Sequence, residues 1–203
     1  MTAGFGDRVA TQVSARCSQL VLGLDPDPGR LWPRALELAE GAGGSSAERS
    51  GASESPPAAR AAFAMAVQCA LLIDAVSEQC VAVKPQVACF ERLGAPGWAA
   101  LGEVIARAQE HDLLVIADAK RGDIDVTAGA YAQTYFGATD TPYGTVEGLG
   151  VDALTVNPLL GEDSLEPLVS EARTHGGGLF ALVRTSNPGA ADVQERALAG
   201  GGT

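Results

Sequence analysis

Two lysines and two aspartates carry the chemical interest of this chain. In Asp118-Ala-Lys120-Arg-Gly-Asp123 a carboxylate and an ammonium lie two residues apart, with a second carboxylate three further on. Residues two apart on a strand point to the same side. If the strand persists to Lys120, the Asp118 and Lys120 head groups therefore stand side by side. Asp123 falls past the strand, on a turn opened by Gly122, and can reach elsewhere. Lys84 ends an earlier apolar run, so it joins the same candidate centre. Four opposed charges could also be a structural network, since paired ions perturb one another without catalysis. Buried ion networks are a poor source of stability, because desolvation offsets much of the attraction. A functional site explains the array better.

These residues depend on strands to place them. Short apolar runs alternate with helical patterns, as expected for repeated βα units around a parallel sheet. The runs Leu20 to Leu24, Cys80 to Val83, Leu113 to Ala117, Asp152 to Val156 and Leu179 to Val183 predict five strands. Pro26 and Pro28 stop the first, and Lys84-Pro85 stops the second. Between them, Phe63, Ala66, Val67, Ala70 and Leu71 form one predicted inner stripe; Leu101, Val104, Ile105 and Ala108 form another. Ala128, Tyr131, Ala132 and Tyr135 give a third. Gly161 to Glu171 predicts a helix with Asp163 or Ser164 as its N-cap, and one short polar helix follows Gly189. Residues 41–59, rich in Gly, Ser, Ala, Glu and Pro, predict a mobile surface insertion within a single domain spanning 1–203.

Asp25, Lys84, Asp118, Lys120, Asn157 and Ser186 all fall just after a predicted strand. In a barrel such positions share one rim, where the βα loops build the active site. No GxGxxG follows the first strand, which favours a (β/α) barrel over a dinucleotide-binding sheet. The expected class is α/β, of the (β/α)8 TIM-barrel type. About five βα units are legible in this chain, whereas a closed barrel has eight.

Composition narrows the partners. With 14 Lys and Arg against 25 Asp and Glu, the net charge of −11 excludes nonspecific nucleic-acid binding, which needs a basic surface. One anionic small molecule remains compatible, held by a few local cations. The 4 cysteines form no CxxC pair and predict no metal site; Cys69 and Cys89 read as small core residues, reduced in cytosol. His111 and His175 precede strands and should lie on the surface, away from the rim. Gly176-Gly-Gly178 also precedes its strand, so it reads as a loop and not a phosphate cradle. No signal peptide is visible, and no uninterrupted apolar stretch approaches membrane-spanning length, so a cytoplasmic protein without a membrane partner is expected.

The segment Val115-Ile-Ala-Asp118-Ala-Lys120-Arg-Gly-Asp123-Ile124-Asp-Val-Thr127 resembles the signature of the orotidine 5′-phosphate decarboxylase family. Val81-Ala-Val-Lys84-Pro-Gln-Val-Ala-Cys-Phe90-Glu91 is similar to its second strand in the bacterial type 2 branch, Leu22-Gly-Leu-Asp25 to its first, and Thr185-Ser186-Asn187-Pro-Gly189 to its base-reading loop. The resemblance implies conversion of orotidine 5′-monophosphate to UMP and CO2 in pyrimidine biosynthesis, with no cofactor and no metal. Lys84, Asp118, Lys120 and Asp123 would be catalytic, with Lys120 protonating C6 of the base. Asp25, Ile124, Thr127, Ser186 and Asn187 would bind substrate. It also implies a homodimer in which Asp123, Ile124 and Thr127 reach the neighbouring subunit's site.

Family members grip the 5′-phosphate with a glutamine and an arginine that follow the late strands, and those segments have no counterpart within 1–203. The 203 residues are therefore expected to be a fragment or truncated product, marginally stable and nearly inactive alone, with the extended chain efficient. Two alternatives remain open. One is a magnesium-dependent sugar-phosphate decarboxylase or lyase sharing the D-x-K-x-x-D core. The other is a noncatalytic barrel fragment serving as an interaction module.

Overall fold

The computed structural model describes residues 3–47 and 55–197. In chain order the elements are helix α1 (Phe5–Arg16), strand β1 (Leu20–Leu24), α2 (Pro33–Ala47), α3 (Pro57–Val76) and β2 (Cys80–Pro85). Then come α4 (Val87–Glu91), α5 (Ala95–Glu110), β3 (Leu114–Arg121) and α6 (Asp125–Tyr135). A hairpin of β4 (Ala138–Thr141) and β5 (Gly144–Glu147) precedes β6 (Ala153–Val156), α7 (Glu162–Thr174), β7 (Gly178–Ala181) and α8 (Ala190–Val193).

The main sheet has five parallel strands in the order β1-β2-β3-β6-β7. Strand order follows chain order throughout. Each crossover therefore moves one place in the same direction, as in a (β/α) barrel, whereas a doubly wound sheet reverses from its first strand. Among the described residues the sheet is open, with β1 and β7 as its edges. Leu20 and Val21 on β1 and Phe180 on β7 are exposed.

The two faces of the sheet are covered differently. On one, α3, α5, α6 and α7 bury a core that includes Met65, Ile73, Phe90, Leu101, Val115 and Leu154. On the other, Val81, Ala82, Leu114, Ile116 and Ala153 form a smaller cluster against Phe5, Val9 and Val13 of α1. Helix α1 was not anticipated from the sequence. Two arginines fasten it to the end of the sheet from which the strands start. Arg8 pairs with Asp152 and donates to the Gly176 carbonyl, and Arg16 donates to the carbonyls of Ser77 and His111. The candidate rim lies at the opposite end.

Several local expectations need correction. Strand β2 runs on through Lys84-Pro85; the ladder to β1 survives because the Gln86 N–H, not the proline, bonds the Leu24 carbonyl at 2.9 Å. The inner face of α3 is Ala62, Met65, Ala66, Cys69 and Ile73, while Phe63 is exposed. This helix is apolar almost all round, so two stripes competed, and the one through Ala62, Met65, Cys69 and Ile73 is the one buried. For the same reason α3 is by length and composition apolar enough to cross a membrane, contrary to the expectation that no stretch would be, yet in this fold it packs on α2, α5 and β1.

Helix α7 is capped by Gly161, at φ 104°, instead of Asp163 or Ser164; the Ser164 hydroxyl donates back to the Gly161 carbonyl at 2.6 Å. Strand β7 ends at Ala181, two residues short of the expected Val183. The β4–β5 hairpin carried no apolar alternation because β5 is exposed at every position and β4 is not buried at any. Its turn is held by the Thr141 hydroxyl, which donates to the Gly144 carbonyl at 2.7 Å. Of the stretch 41–59, residues to Ala47 continue α2 and those from Pro57 open α3; the expected insertion between them falls on 48–54, outside the described residues.

Candidate active site

Strands β2 and β3 deliver a lysine and an aspartate to the same point on the rim. An isolated parallel bridge between Gln86 and Asp118 carries their pairing past the regular ladder. Asp118 is buried and its carboxylate accepts four side-chain hydrogen bonds. Oδ1 takes Lys120 Nζ at 2.5 Å and Thr155 Oγ1 at 3.0 Å; Oδ2 takes Lys84 Nζ at 2.8 Å and Gln86 Nε2 at 3.1 Å. Burial pushes this carboxyl's pKa up, but the bonds from Lys120, Lys84 and Thr155 and the Lys84 charge outweigh it, holding it at about 2. Asp118 is thus an anion at any physiological pH. Two ammonium groups against one carboxylate leave the centre cationic by one charge, in a chain whose net charge is −11. Such a centre suits an anionic ligand.

Asp118 and Lys120 share a side, though not through a regular strand. The β3–β6 register shifts between Ala117 and Arg121, and Lys120 sits in the left-handed region at φ 52°. That conformation costs a side-chain-bearing residue about 1 kcal/mol. Two hydrogen bonds hold it in place. The Lys120 N–H donates to Thr155 Oγ1 at 2.9 Å, and the Asn157 N–H donates to the Arg121 carbonyl at 2.7 Å. Arg121 turns the other way, into the helical layer, where it pairs with Glu91, bonds the Tyr135 hydroxyl at 3.1 Å and lies over the Tyr131 ring. The next residue has to be glycine, because a Cβ on Gly122 would stand 2.5 Å from the Asn157 carbonyl oxygen. A cavity of about 310 Å³ lies beside Arg121, lined by Glu91, Trp98, Tyr131, Thr134 and Tyr135; Lys84, Asp118 and Lys120 do not line it.

The structure gathers Lys84, Asp118 and Lys120. It does not bond the other expected residues to them. Asp123 accepts the Ile124 N–H at 2.8 Å and, among the described residues, forms no ion pair. Ile124 and Thr127 are exposed where α6 begins, beside an equally exposed Val126. Asp25 is exposed just past β1, and Ser186 and Asn187 are exposed in the loop after β7. Two residues of the centre were missed, Gln86 and Thr155. Both had a parity signal: Gln86 lies two beyond Lys84, and Thr155 is the one polar residue inside the apolar run Ala153–Val156. Among the described residues no group of three or more His, Cys, Asp or Glu could hold a metal ion.

A singly wound parallel sheet with a lysine–aspartate–lysine centre at the ends of its strands defines a barrel-type protein whose site is built from fixed charge. The model of the orotidine 5′-phosphate decarboxylase / HUMPS family matches residues 18–201, and the chain belongs to that family. It is 47% identical over 135 residues to the orotidine 5′-phosphate decarboxylase of Rhodopirellula baltica, covering 65% of this chain and 43% of that protein. With the orotidine 5′-phosphate decarboxylase of a Nocardioides species it is 38% identical over 204 residues, covering 98% of this chain and 63% of the relative. The solved structure of Leishmania donovani OMP decarboxylase superposes with a TM-score of 0.68 at 32% identity, covering 98% of this chain and 60% of that one. The match thus spans between about two-fifths and three-fifths of the length of these relatives.

Proposed function

We propose that this chain carries an orotidine 5′-phosphate decarboxylase centre, which converts orotidine 5′-monophosphate to UMP and CO2 in pyrimidine biosynthesis. One observation carries the reading: a carboxylate ionised at physiological pH, Asp118, is gripped between two ammonium groups at the rim. A substrate carboxylate seated against Asp118 meets like charge that is relieved as CO2 departs. The bond from C6 to that carboxylate breaks and its electron pair stays on C6. The Lys120 ammonium stabilises the developing charge and then passes a proton to C6. Lys84 shares the Asp118 carboxylate with Lys120 and contacts a ribose hydroxyl, and Asp123 completes the alternating array from the neighbouring subunit. Asp25 adds a further ribose contact, and Ser186 with Asn187 binds the pyrimidine edge.

The working unit in this reading is a cytoplasmic homodimer. Ile124 at 55% and Val126 at 80% exposure, beside an exposed Thr127, leave the start of α6 uncovered in the single chain. Asp123, Ile124 and Thr127 reach the neighbouring site from there. No step in the scheme draws on a metal or an organic cofactor.

The test measures turnover and binding in EDTA. Orotidylate absorbance should decline slowly with this chain alone and rapidly with the chain extended to the length of its relatives, where Lys120→Ala should slow it by about 10³-fold or more. A barbiturate nucleotide, which mimics the C6 carbanion, should bind the wild type about 10²-fold more tightly than UMP, and Lys120→Ala should abolish that preference. Equal affinity for the two nucleotides refutes the reading and leaves a noncatalytic barrel module. Activity on a sugar phosphate that EDTA removes refutes it in favour of the magnesium-dependent alternative.

A further inference from the structure

Thr155 belongs to none of the roles assigned above, yet its hydroxyl bonds both the backbone of Lys120 and the carboxylate of Asp118. We propose that Thr155 is a positioning residue: its single hydroxyl ties the backbone of Lys120 to the carboxylate of Asp118 and so sets where the Lys120 ammonium points. The inference rests on the reading of Lys120 as the proton donor.

The direction of both bonds follows from what each partner can do. A hydroxyl offers one proton and two lone pairs. The Lys120 N–H, 2.9 Å away, can only donate, so Thr155 accepts from it. The ionised Asp118 can only accept, so the Thr155 proton goes to Oδ1 at 3.0 Å. The rotor has no freedom left. Because Lys120 Nζ also bonds Oδ1, at 2.5 Å, a closed ring runs from the Lys120 backbone through Thr155 and Asp118 to the Lys120 side chain. Both ends of that side chain are thereby referred to one carboxylate oxygen.

The need for such a tie comes from the irregular end of β3. With Lys120 in the left-handed region and the β3–β6 register broken there, its N–H has no ladder partner, and the Thr155 hydroxyl takes the place of the missing carbonyl. Threonine is suited to this. Its branched Cβ restricts χ1, and it sits between Leu154 and Val156, both fully buried, so the hydroxyl is anchored to rigid strand.

The experiment compares Thr155→Val, which keeps the shape and removes the hydroxyl, with Thr155→Ser, which restores it. Two readouts are taken on the same chain: the titration of the Asp118 carboxyl followed by carbon-13 NMR, and kcat against KM for orotidylate. Thr155→Val should move the Asp118 midpoint up from about 2, because one stabilising donor is lost while burial remains. It should also lower kcat by about 10- to 100-fold with KM changed less than about threefold. Thr155→Ser should recover both. An unmoved Asp118 midpoint in Thr155→Val, or a serine variant as defective as valine, overturns the inference. Where Thr155→Val loses the wild-type circular dichroism, Thr155→Ala is read in the same way. If neither this chain nor one extended to the length of its relatives turns over orotidylate, the decarboxylase reading fails, and the Asp118 titration still decides whether Thr155 is the tie.

Discussion

Replacing Asp118 by asparagine keeps the shape of the side chain and removes the charge on which the centre is organised. The carboxyl has its pKa lowered from the ordinary 3.8 to about 2 in the folded chain. A difference of nearly two units corresponds to about 2.4 kcal/mol. Water screens the partners, whose side chains are 35% and 46% exposed, so about 2 kcal/mol is the figure to test. Since folding depresses this pKa, the contribution is complete above the unfolded value near 4 and is lost as the pH falls through 2. Asp118→Asn should therefore be less stable than wild type at neutral pH, and the gap should close by about 2 kcal/mol on acidification. Urea unfolding of both proteins at about pH 5.5 and about pH 1.5 measures this directly, because the other carboxyls cancel in the double difference. A gap that stays constant within about 0.5 kcal/mol would show that Asp118 is not the charged hub described here.

Arg121→Met should cost about 2–3 kcal/mol in urea unfolding, because the Glu91 carboxylate and the Tyr135 hydroxyl lose their shared partner; adding Glu91→Leu should recover part of it. Two glycines of α5 should respond oppositely to alanine. A Cβ at Gly97 would stand 1.9 Å from the Phe90 carbonyl oxygen, so Gly97→Ala should lower the thermal midpoint by the equivalent of about 2 kcal/mol or more. Gly102 faces open space, and Gly102→Ala should raise the midpoint by about 0.5 kcal/mol through helix propensity. Among the thiols, exposed Cys17 should react with Ellman's reagent first at about pH 8, whereas Cys69, buried and pushed up to about 12, should react only after denaturation.

The order of the strands and the identity of the central charges were legible because each signal was local. All five apolar runs became strands, and the two-residue spacing of Asp118 and Lys120 put both head groups together. That spacing led to the right neighbours through an incomplete premise. A left-handed Lys120 and a broken register do the placing, and neither leaves a mark in residue type. Thr155 stood out as a polar residue in an apolar run, but its role did not, because its partners are 35 and 37 residues away. The phase of α3 was misread because composition alone does not choose between two apolar faces. The docking of α1 depends on carbonyls before several strands, which no sequence window spans together.

Helix α1 has a temporal consequence. Arg8 binds the Gly176 carbonyl across 168 residues, so α1 is made well before the turn that anchors it. At ribosomal rates of about 5–20 residues per second, roughly ten seconds or more separate its synthesis from that of its anchor. During that interval Phe5, Val9 and Val13 have no completed surface to rest on.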